Sequence, residues 1–427
     1  MKENEQLKGI VKNQQKRIEV LEKLLNVYDN PHTPPSQKRA GKKTGNEEGE
    51  ERARGKPGRK EGHAGTTRPY REPDETITAT MGECPHCKNH LGKPKGYERR
   101  LIEDIPEPQP VKVTEYLLAH YVCTKCGKEV IARHPDCPKE GRFGKNVTAV
   151  STLLKHKGRL TYRNVTDMLE IQHGIGIAPA TVMEMTRRAA DSLRPEYESI
   201  KERIPKADTV NADETGVKVN GMNHWNWVFV AEKDVLFRIH RSRGKSVPED
   251  VLDGFGGILG IDGWRSYSGL PCEKQRCWAH ILREADKLAE TEKEAAGLSK
   301  ALHILFDLTT RKVSKDPPPY ERLSIHREAL AWLDKWLDIG YGSEKVKKLA
   351  DKIRYAREQW FTFVLHPGVE PTNNAAERPL REFVVQRKIF GTLRSKEGMY
   401  RYETIMSVFE TWKRHDMHIF DELRKRL

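Results

Sequence analysis

The sequence has no long hydrophobic run, and this absence limits where the protein can reside. No apolar stretch approaches the roughly 20 residues that a membrane-spanning helix requires. The first residues, MKENEQ, also lack the apolar segment of a secretory signal peptide. We therefore expect a cytoplasmic protein that has no membrane partner.

Cysteine is scarce, with seven residues in a chain of 427. In a reducing compartment these thiols are not expected to form disulfides, so closely spaced pairs indicate metal binding first. Two such pairs are Cys84-Pro-His-Cys87 and Cys123-Thr-Lys-Cys126, with strand-like sequence between them. Four thiolates suit one tetrahedral Zn²⁺, which would also supply folding energy to a small unit. The spacing predicts a structural zinc ribbon over 76–140, with free thiols as the alternative.

Charge is abundant and unbalanced. Lys and Arg number 76 against 62 Asp and Glu, which gives a formal net charge of +14. Such a balance suits a polyanionic partner such as DNA, although basicity alone does not require one. A chain of 427 residues also exceeds what a single core usually organises, so we expect several domains.

The N-terminal residues 1–28 carry a seven-residue apolar repeat, interrupted at Gln14, which consists of Leu7, Val11, Ile18, Leu21, Leu25 and Tyr28. The repeat predicts a short coiled coil that mediates self-association, with a lone amphipathic helix as the alternative. Residues 29–75 then lose this periodicity and become rich in Pro, Gly and charge, which predicts a basic flexible linker. Its RGKPGRK stretch either contacts DNA phosphates or is simply solvated.

Residues 146–193 read as three helices, within a domain predicted over 145–200. The second runs from about Tyr162 to Ile171, the segment HGIGIA turns, and Pro179 opens the third. Two helices joined by a turn that contains glycine are typical of a helix-turn-helix DNA-binding domain, with an ordinary helical connector as the alternative. Ala178 stands where a Ser or Asn cap would have strengthened this interpretation.

From about residue 208 the pattern changes to β-β-β-α-β. Two separate apolar strands carry Asp213 and Asp262 near their ends, and neighbouring strands would bring both carboxylates to one edge of a sheet. Clustered carboxylates repel one another unless cations neutralise them, and Mg²⁺ prefers oxygen ligands. We therefore predict a metal site there, although each aspartate alone also suits a turn or a cap. Glu214 is a further candidate, but strand alternation points it to the opposite face.

Glu377, in the segment PTNNAAERPLREF, is a third acidic candidate with a structural alternative. Asn374 and Glu377 have the spacing of a capping box, in which the glutamate bonds back to the cap backbone. That arrangement would place Pro379 beyond the first helical turn, where proline costs a backbone hydrogen bond. The local sequence leaves both readings of Glu377 open.

A long helical pattern separates Asp262 from Glu377, and it follows the segment Cys277-Trp-Ala-His280. Cys277 and His280 lie one helical turn apart and could supply half of a metal site, but no second pair is evident. Structural packing is therefore the favoured interpretation for both. We expect Trp278 and Trp360 to be core residues rather than platforms for base stacking.

The motifs together resemble the DDE transposases of bacterial and archaeal insertion sequences, most closely the insertion-sequence-sixty-six family. They follow the family's order: leucine-zipper-like helix, GKPGRKEGH, CPHC and CTKC, helix-turn-helix, ADET, GIDGWRSY, CWAH and NNAAERPLR. The resemblance covers nearly the whole chain. It implies a multidomain α/β protein with a ribonuclease-H-like core over 205–280 and 369–427, interrupted by an all-helical insertion over 281–368.

The resemblance also implies a catalytic triad of Asp213, Asp262 and Glu377. In this family mechanism two Mg²⁺ ions, or Mn²⁺, held by the triad activate water to cut DNA at the element ends. The freed 3′-hydroxyl then attacks target DNA in line. Nearby basic residues are candidate phosphate contacts, with a solvated surface position as the alternative for each, namely Arg381, Arg387 and Lys388.

The expected function is thus that of a nucleoid-associated DNA transposase. Its first expected partner is double-stranded DNA, which includes the terminal inverted repeats and the target. Its second is further copies of the same chain. Accessory proteins encoded by the element are a candidate third class of partner. Two alternatives stay open: a nuclease or resolvase with the same fold, and a catalytically inactive zinc-ribbon regulator that binds DNA.

Overall fold

The computed structural model describes residues 72–103 and 111–427. The coiled coil predicted over 1–28 lies outside these ranges, as does nearly all of the linker predicted over 29–75. Contacts divide the chain into two compact units, Met1–Pro108 and Gln109–Leu427. Within the described ranges, the longest helices are too polar to traverse a lipid bilayer.

In the second unit the strands are β1 (His120–Val122), β2 (Glu129–Ile131), β3 (Thr209–Val219), β4 (Met222–Ala231), β5 (Asp234–His240), β6 (Ile258–Ile261) and β7 (Glu273–Arg276). The helices up to β6 are α1 (Lys145–His156), α2 (Tyr162–His173), α3 (Pro179–Arg203) and α4 (Ser246–Val251). The later helices are α5 (Trp278–Ala289), α6 (Lys293–Val313), α7 (Pro319–Leu337), α8 (Glu344–Tyr355), α9 (Thr362–Leu365), α10 (Asn374–Phe390), α11 (Lys396–Arg414) and α12 (Ile419–Arg426).

The three helices predicted before the sheet are confirmed as α1, α2 and α3. The Thr161 side chain caps α2 by accepting a 3.1 Å hydrogen bond from the N–H of Asn164, and Gly174 ends that helix in the left-handed conformation. Pro179 is the first residue of α3, and Ala178 before it makes no side-chain cap. The helices share a small apolar cluster, which contains Val165, Leu169 and Val182.

Helix α3 runs without interruption for 25 residues and joins this helical group to the sheet. Its C-terminal half packs in the main apolar core, where Tyr197 donates a 3.3 Å hydrogen bond to the carbonyl of Phe237 in β5. The helix therefore holds the three-helix group against the sheet directly.

The central sheet has the order β5-β4-β3-β6-β7. Strands β5, β4 and β3 are antiparallel neighbours, whereas β3, β6 and β7 run parallel. The predicted β-β-β-α-β succession is confirmed, and the structure adds β7, whose sequence EKQR carries no apolar pattern. Apolar clusters cover both faces of β3, because its alternate residues contribute to different clusters.

Helix α11 covers the edge strand β5 and satisfies its backbone. The N–H of Val235 donates to Thr411 Oγ1 at 3.0 Å, and the N–H of Phe237 donates to Ser407 Oγ at 2.8 Å. The N–H of Ile239 donates to the buried carboxylate of Glu403. Unpaired edge strands invite association with other chains, so these side chains close that edge of the sheet.

Helices α5 to α9 form a separate apolar cluster in residues 278–365, as the helical pattern predicted. Trp278 and Trp360 are buried within it, so their prediction as core residues is confirmed. Gln275 of β7 links this helical region to the sheet: its side-chain oxygen accepts from the N–H of Phe363 at 2.8 Å. The helical region is therefore hydrogen-bonded to the parallel edge of the sheet.

Candidate active site

Asp213 and Asp262 lie on adjacent strands at matching positions. The parallel pairing of β3 with β6 ends at Asn211 and Gly260. Each aspartate lies two residues beyond that pair, so the register brings the two carboxyl groups level with each other. This is the placement that the sequence predicted, and both side chains are half-buried.

The electrostatics of Asp213 show that these carboxyl groups act on one another. Burial, followed by the charge of Asp262, raises the pKa of Asp213 to about 7; the hydrogen bond from the N–H of Glu214 opposes this shift, and the charges of Glu214 and Glu377 add to it. A carboxyl group with this pKa holds its proton near neutral pH unless a cation compensates the neighbouring charges. The donor set therefore suits a hard divalent cation such as Mg²⁺.

Backbone hydrogen bonds orient both aspartates. The N–H of Glu214 donates to Asp213 Oδ1 at 2.8 Å, and the N–H of Trp264 donates to Asp262 Oδ1 at 2.8 Å. Gly263, between Asp262 and Trp264, has a φ of 99°, and a Cβ there would lie 2.3 Å from Nη1 of Arg276. The turn after Asp262 thus requires glycine for both conformation and space.

Glu377 lies in the first turn of α10, and the capping box that competed with its catalytic interpretation is not formed. Asn373 occupies the N-cap position but makes no side-chain cap. Its amide instead reaches β3, donating to the carbonyl of Ala212 at 2.8 Å and accepting from Asn211 Nδ2 at 3.0 Å. Through these two hydrogen bonds Asn373 holds the helix of Glu377 against the strand of Asp213. Oε1 of Glu377 itself is shielded from solvent and has no hydrogen-bond partner.

Pro379 lies inside α10, where it removes one backbone hydrogen bond. The carbonyl left without its usual helical partner is that of Ala375, four residues earlier, and Arg414 Nη2 donates to it at 3.0 Å. The sequence correctly predicted that this proline removes a hydrogen bond. Only the structure shows that Arg414 of α11 replaces it.

Glu214 points away from Asp213, as strand alternation predicted. Its buried carboxylate accepts from Tyr267 Oη at 2.7 Å and from Arg243 Nε at 3.0 Å. The Arg243 guanidinium in turn stacks between two indoles, 4.3 Å from the ring centre of Trp225 and 3.6 Å from that of Trp264. This network holds the loop next to Asp262, and sequence reasoning missed it because its members are far apart in the chain.

The three basic residues proposed as phosphate contacts have different environments. Arg381 and Lys388 are exposed on α10, where they are free to meet a ligand. Arg387 is half-buried, and its guanidinium donates to the carbonyl of Gly216 and to Thr215 Oγ1, both in β3. The structure therefore gives Arg387 a structural contact between helix and sheet instead of a free cationic head.

Cys277 and His280 lie beside Glu377. One ligand atom of each of the three residues lies within 4.8 Å of those of the other two. Packing alone was the favoured interpretation, because the sequence near the pair offers no further ligand. The third ligand comes from a residue almost 100 positions away, which no local spacing could identify.

Each of the two cysteine pairs forms a tight turn in its own unit. The N–H of Lys88 donates to the carbonyl of Cys84, and the N–H of Gly127 donates to that of Cys123, at 2.9 and 2.8 Å. In both turns the N–H groups two and three residues further along lower the pKa of the first cysteine. Such donors favour the thiolate, the form that binds a metal. That all four cysteines share one Zn²⁺ stays a prediction.

Comparison with known proteins places these features in a family. The model described as "Transposase IS66 family" matches residues 140–401, which is more than half of the chain. Similar curated proteins from Sinorhizobium fredii (strain NBRC 101917 / NGR234) include "Uncharacterized protein y4hP", 23% identical over 371 residues, and "Uncharacterized protein y4qI", 23% identical over 296 residues. These matches cover 74% and 61% of this chain, and 66% and 55% of the two relatives. On the extent of the family match, the chain belongs to the IS66 family of transposases.

Proposed function

We propose that the protein is a DDE transposase that binds element ends and carries out metal-dependent cleavage and strand transfer of DNA. The observation that carries the proposal is the convergence of three carboxylates from distant parts of the sequence, Asp213, Asp262 and Glu377. Burial, followed by the charges of the neighbouring carboxylates, raises the pKa of Asp213 to about 7, as expected where carboxylates are grouped to bind cations.

The sheet supports a ribonuclease-H-like core. Three antiparallel strands continue into two parallel ones in the order β5-β4-β3-β6-β7; Asp213 lies in β3, and Asp262 directly follows the neighbouring strand β6. Glu377 arrives from α10, after the helical region of residues 278–365. This sequence of elements agrees with a catalytic core that a helical insertion interrupts before its last acidic residue.

In the proposed mechanism, Asp213, Asp262 and Glu377 hold Mg²⁺. When bound, Mg²⁺ would lower the pKa of attacking water and stabilise charge on the attacking and leaving oxygens of a phosphodiester. The chain's own contribution is to keep the three carboxylates together. Asn373 ties the start of α10 to β3, and the backbone N–H groups of Glu214 and Trp264 orient the two aspartates.

Other features of the chain would bind DNA. The start of α3 exposes Pro179, Ala180 and Met183, as a helix that reads a groove must. Arg381 and Lys388 are exposed on α10, the helix that carries Glu377, and would contact DNA phosphates. The zinc ribbon of Cys84, Cys87, Cys123 and Cys126 would add a further DNA-binding module, and bringing two element ends together would require more than one copy of the chain.

Replacing Asp213 with Asn, Asp262 with Asn, or Glu377 with Gln tests the triad. We expect each variant to lower strand cleavage and strand transfer by at least about a thousandfold, or about 4 kcal/mol of transition-state stabilisation. Binding to the inverted repeats that flank the gene should persist, because the proposed end-binding surface lies elsewhere. Labelled repeat-end DNA incubated with plasmid target and Mg²⁺ reports cleavage and joining separately.

The matched control is Asp253→Asn, which removes an exposed carboxylate of the same strand-rich region. It should retain full activity. Cleavage without any joined product in the parent protein would identify a nuclease instead, whereas end binding without cleavage or joining would identify a regulator. Full activity in any one triad variant would remove that residue from the catalytic group.

A further inference from the structure

Two different donor sets meet at Glu377. The charge of Glu377 acts on Asp213, and a carboxylate oxygen of Glu377 also lies within 4.8 Å of the thiol of Cys277 and of a ring nitrogen of His280. Cys277 directly follows β7, and its N–H donates to the carbonyl of Ile261 in β6 at 2.8 Å. This hydrogen bond places the second donor set next to the strand that precedes Asp262.

The polar atoms that face each other in this second set lack partners. Nδ1 of His280 and Oε1 of Glu377 are both shielded from solvent and form no hydrogen bond, and they lie 3.8 Å apart. That separation is too long for a hydrogen bond, and a buried polar atom without a partner destabilises the folded chain. Arg283 Nη2 lies 3.7 Å from the same Glu377 oxygen, but this side chain is 60% exposed and does not enclose the atoms. A cation bonded to both atoms would satisfy them.

Cys277 has the backbone setting of a metal-binding cysteine. Its sulfur accepts a 3.1 Å hydrogen bond from the N–H of Asn373, and the N–H groups of Ala279 and His280 also point to it. The latter two lie two and three residues further along, as do the donors in the Cys84 and Cys123 turns. The segment Cys277-Trp-Ala-His280 thus repeats the N–H to sulfur arrangement of the two cysteine pairs, with histidine in the place of the second cysteine.

The donor types select the metal. A thiolate and a neutral imidazole bind Zn²⁺ strongly, whereas Mg²⁺ prefers oxygen ligands alone. Three protein ligands would also leave a fourth tetrahedral position open to water.

We propose that Cys277, His280 and Glu377 form a Zn²⁺ site that shares Glu377 with the carboxylate group. Zinc bound there takes a carboxylate oxygen of Glu377 and competes with Mg²⁺ for this residue. The consequence for DNA cleavage rests on the proposed function, but zinc binding itself does not.

Cobalt substitution measures the site without DNA. The full-length chain, freed of metal and titrated with Co²⁺, should develop thiolate-to-cobalt absorbance, and Cys277→Ser should bind one equivalent of Co²⁺ per chain less than the parent. His280→Ala and Glu377→Gln should lose the same equivalent. The matched control Cys272→Ser removes a half-buried thiol next to β7 and should bind as the parent does. Zn²⁺ should displace the cobalt of this site, whereas a large excess of Mg²⁺ should not.

The competition is measured on cleavage of repeat-end DNA. Zn²⁺ added at a few equivalents beyond saturation of the Co²⁺-binding sites should inhibit the parent in Mg²⁺, and a chelator should restore it. An unchanged cobalt stoichiometry in folded Cys277→Ser, checked by circular dichroism, would overturn the site. Unimpaired cleavage in the zinc-loaded parent would overturn the competition. Cobalt binding without any strand transfer would count against the proposed function alone.

Discussion

The sheet-bearing part of the molecule and the helical region of residues 278–365 bury different chemistry. Around the sheet, the buried residues include three glutamates, Glu214, Glu403 and Glu410. The helical region, all of which the structure describes, buries no carboxylate, and its interior is a cluster of leucine, alanine and aromatic side chains. Its acidic residues lie on the surface, where several form exposed ion pairs.

This difference teaches where function constrains the fold. Burying a charge is costly unless it is paired or hydrogen-bonded, so an interior that carries carboxylates is retained for what those groups do. Glu214 accepts a hydrogen bond from Tyr267 in the loop after Asp262, and Glu403 accepts one from the backbone of the edge strand β5. The helical region buries no carboxylate, and apolar packing is its main support; its buried Arg322 donates hydrogen bonds to the carbonyls of Pro317 and Val364.

The largest effect that we expect on the sheet-bearing side is a dependence of the free energy of unfolding on pH. Burial, followed by the nearby charges of Lys155 and Arg401, lowers the pKa of His156 to about 3. The unfolded chain takes up a proton near the ordinary pKa of about 6.5, while the folded chain does not. The contribution of His156 to stability is therefore complete above about pH 6.5 and is lost towards pH 3, by up to about 5 kcal/mol.

Urea unfolding at several pH values measures this decline. His156→Gln should flatten the dependence, since it removes the titrating group. His173→Gln, at the exposed end of α2, serves as the control and should leave the dependence unchanged. An identical acid response in His156→Gln and the parent would show that the buried polar groups of this side do not govern its stability.

A smaller effect is expected from the apolar interior of the helical region. Leu298 in α6 is fully buried, and Leu298→Ala should destabilise the chain by about 2–5 kcal/mol, because it removes apolar contacts and leaves a cavity. Leu323→Ala in α7 changes a side chain that is 54% exposed and should stay within about 0.5 kcal/mol of the parent. Hydrogen exchange should rise mainly in α5 to α9 for Leu298→Ala. A rise of equal size around the sheet would contradict a separate helical core.

The smallest effect concerns surface charge. Lys312 and Glu328 pair at 2.6 Å in the helical region, with side chains 50% and 59% exposed. Solvent screening keeps such a pair below about 1 kcal/mol, so Lys312→Ala should change stability little. Lys157→Ala on the sheet-bearing side should cost more, because its partner Glu410 is only 8% exposed and would be left buried without its cation. Denaturation curves of the two variants compare the ion pairs directly, and an equal cost for both would break the comparison.

Local sequence predicted much of the fold because its signals were short in range. Apolar periodicity identified the three helices before the sheet and the long helical stretch, and proline marked the start of α3. Strand β7 was missed, since EKQR is stabilised by neighbouring β6 and by the contacts of Gln275 with the helical region. Its backbone partners, and not its own side chains, make it a strand.

In the candidate site, too, some residues could be predicted from the sequence and others could not. Asp213 and Asp262 followed from the ends of apolar strands, and the resemblance selected Glu377 over a capping glutamate. The role of Asn373 could not be predicted, because its partners Ala212 and Asn211 lie more than 160 residues away. Arg387 was one of three candidate phosphate contacts; its contact with β3 could not be predicted, since only folding brings Gly216 beside it.

By itself, the sequence determined the kinds of chemistry available to this protein: carboxylates at strand ends, paired cysteines, and the motif order that carries the family resemblance. These properties are local or additive, so they survive without coordinates. Only the tertiary structure decided which groups share a site. It left Oε1 of Glu377 without a partner and brought Cys277 and His280 to that residue, because α5 follows directly on β7 while α10 packs against β3, which joins segments that the chain keeps far apart.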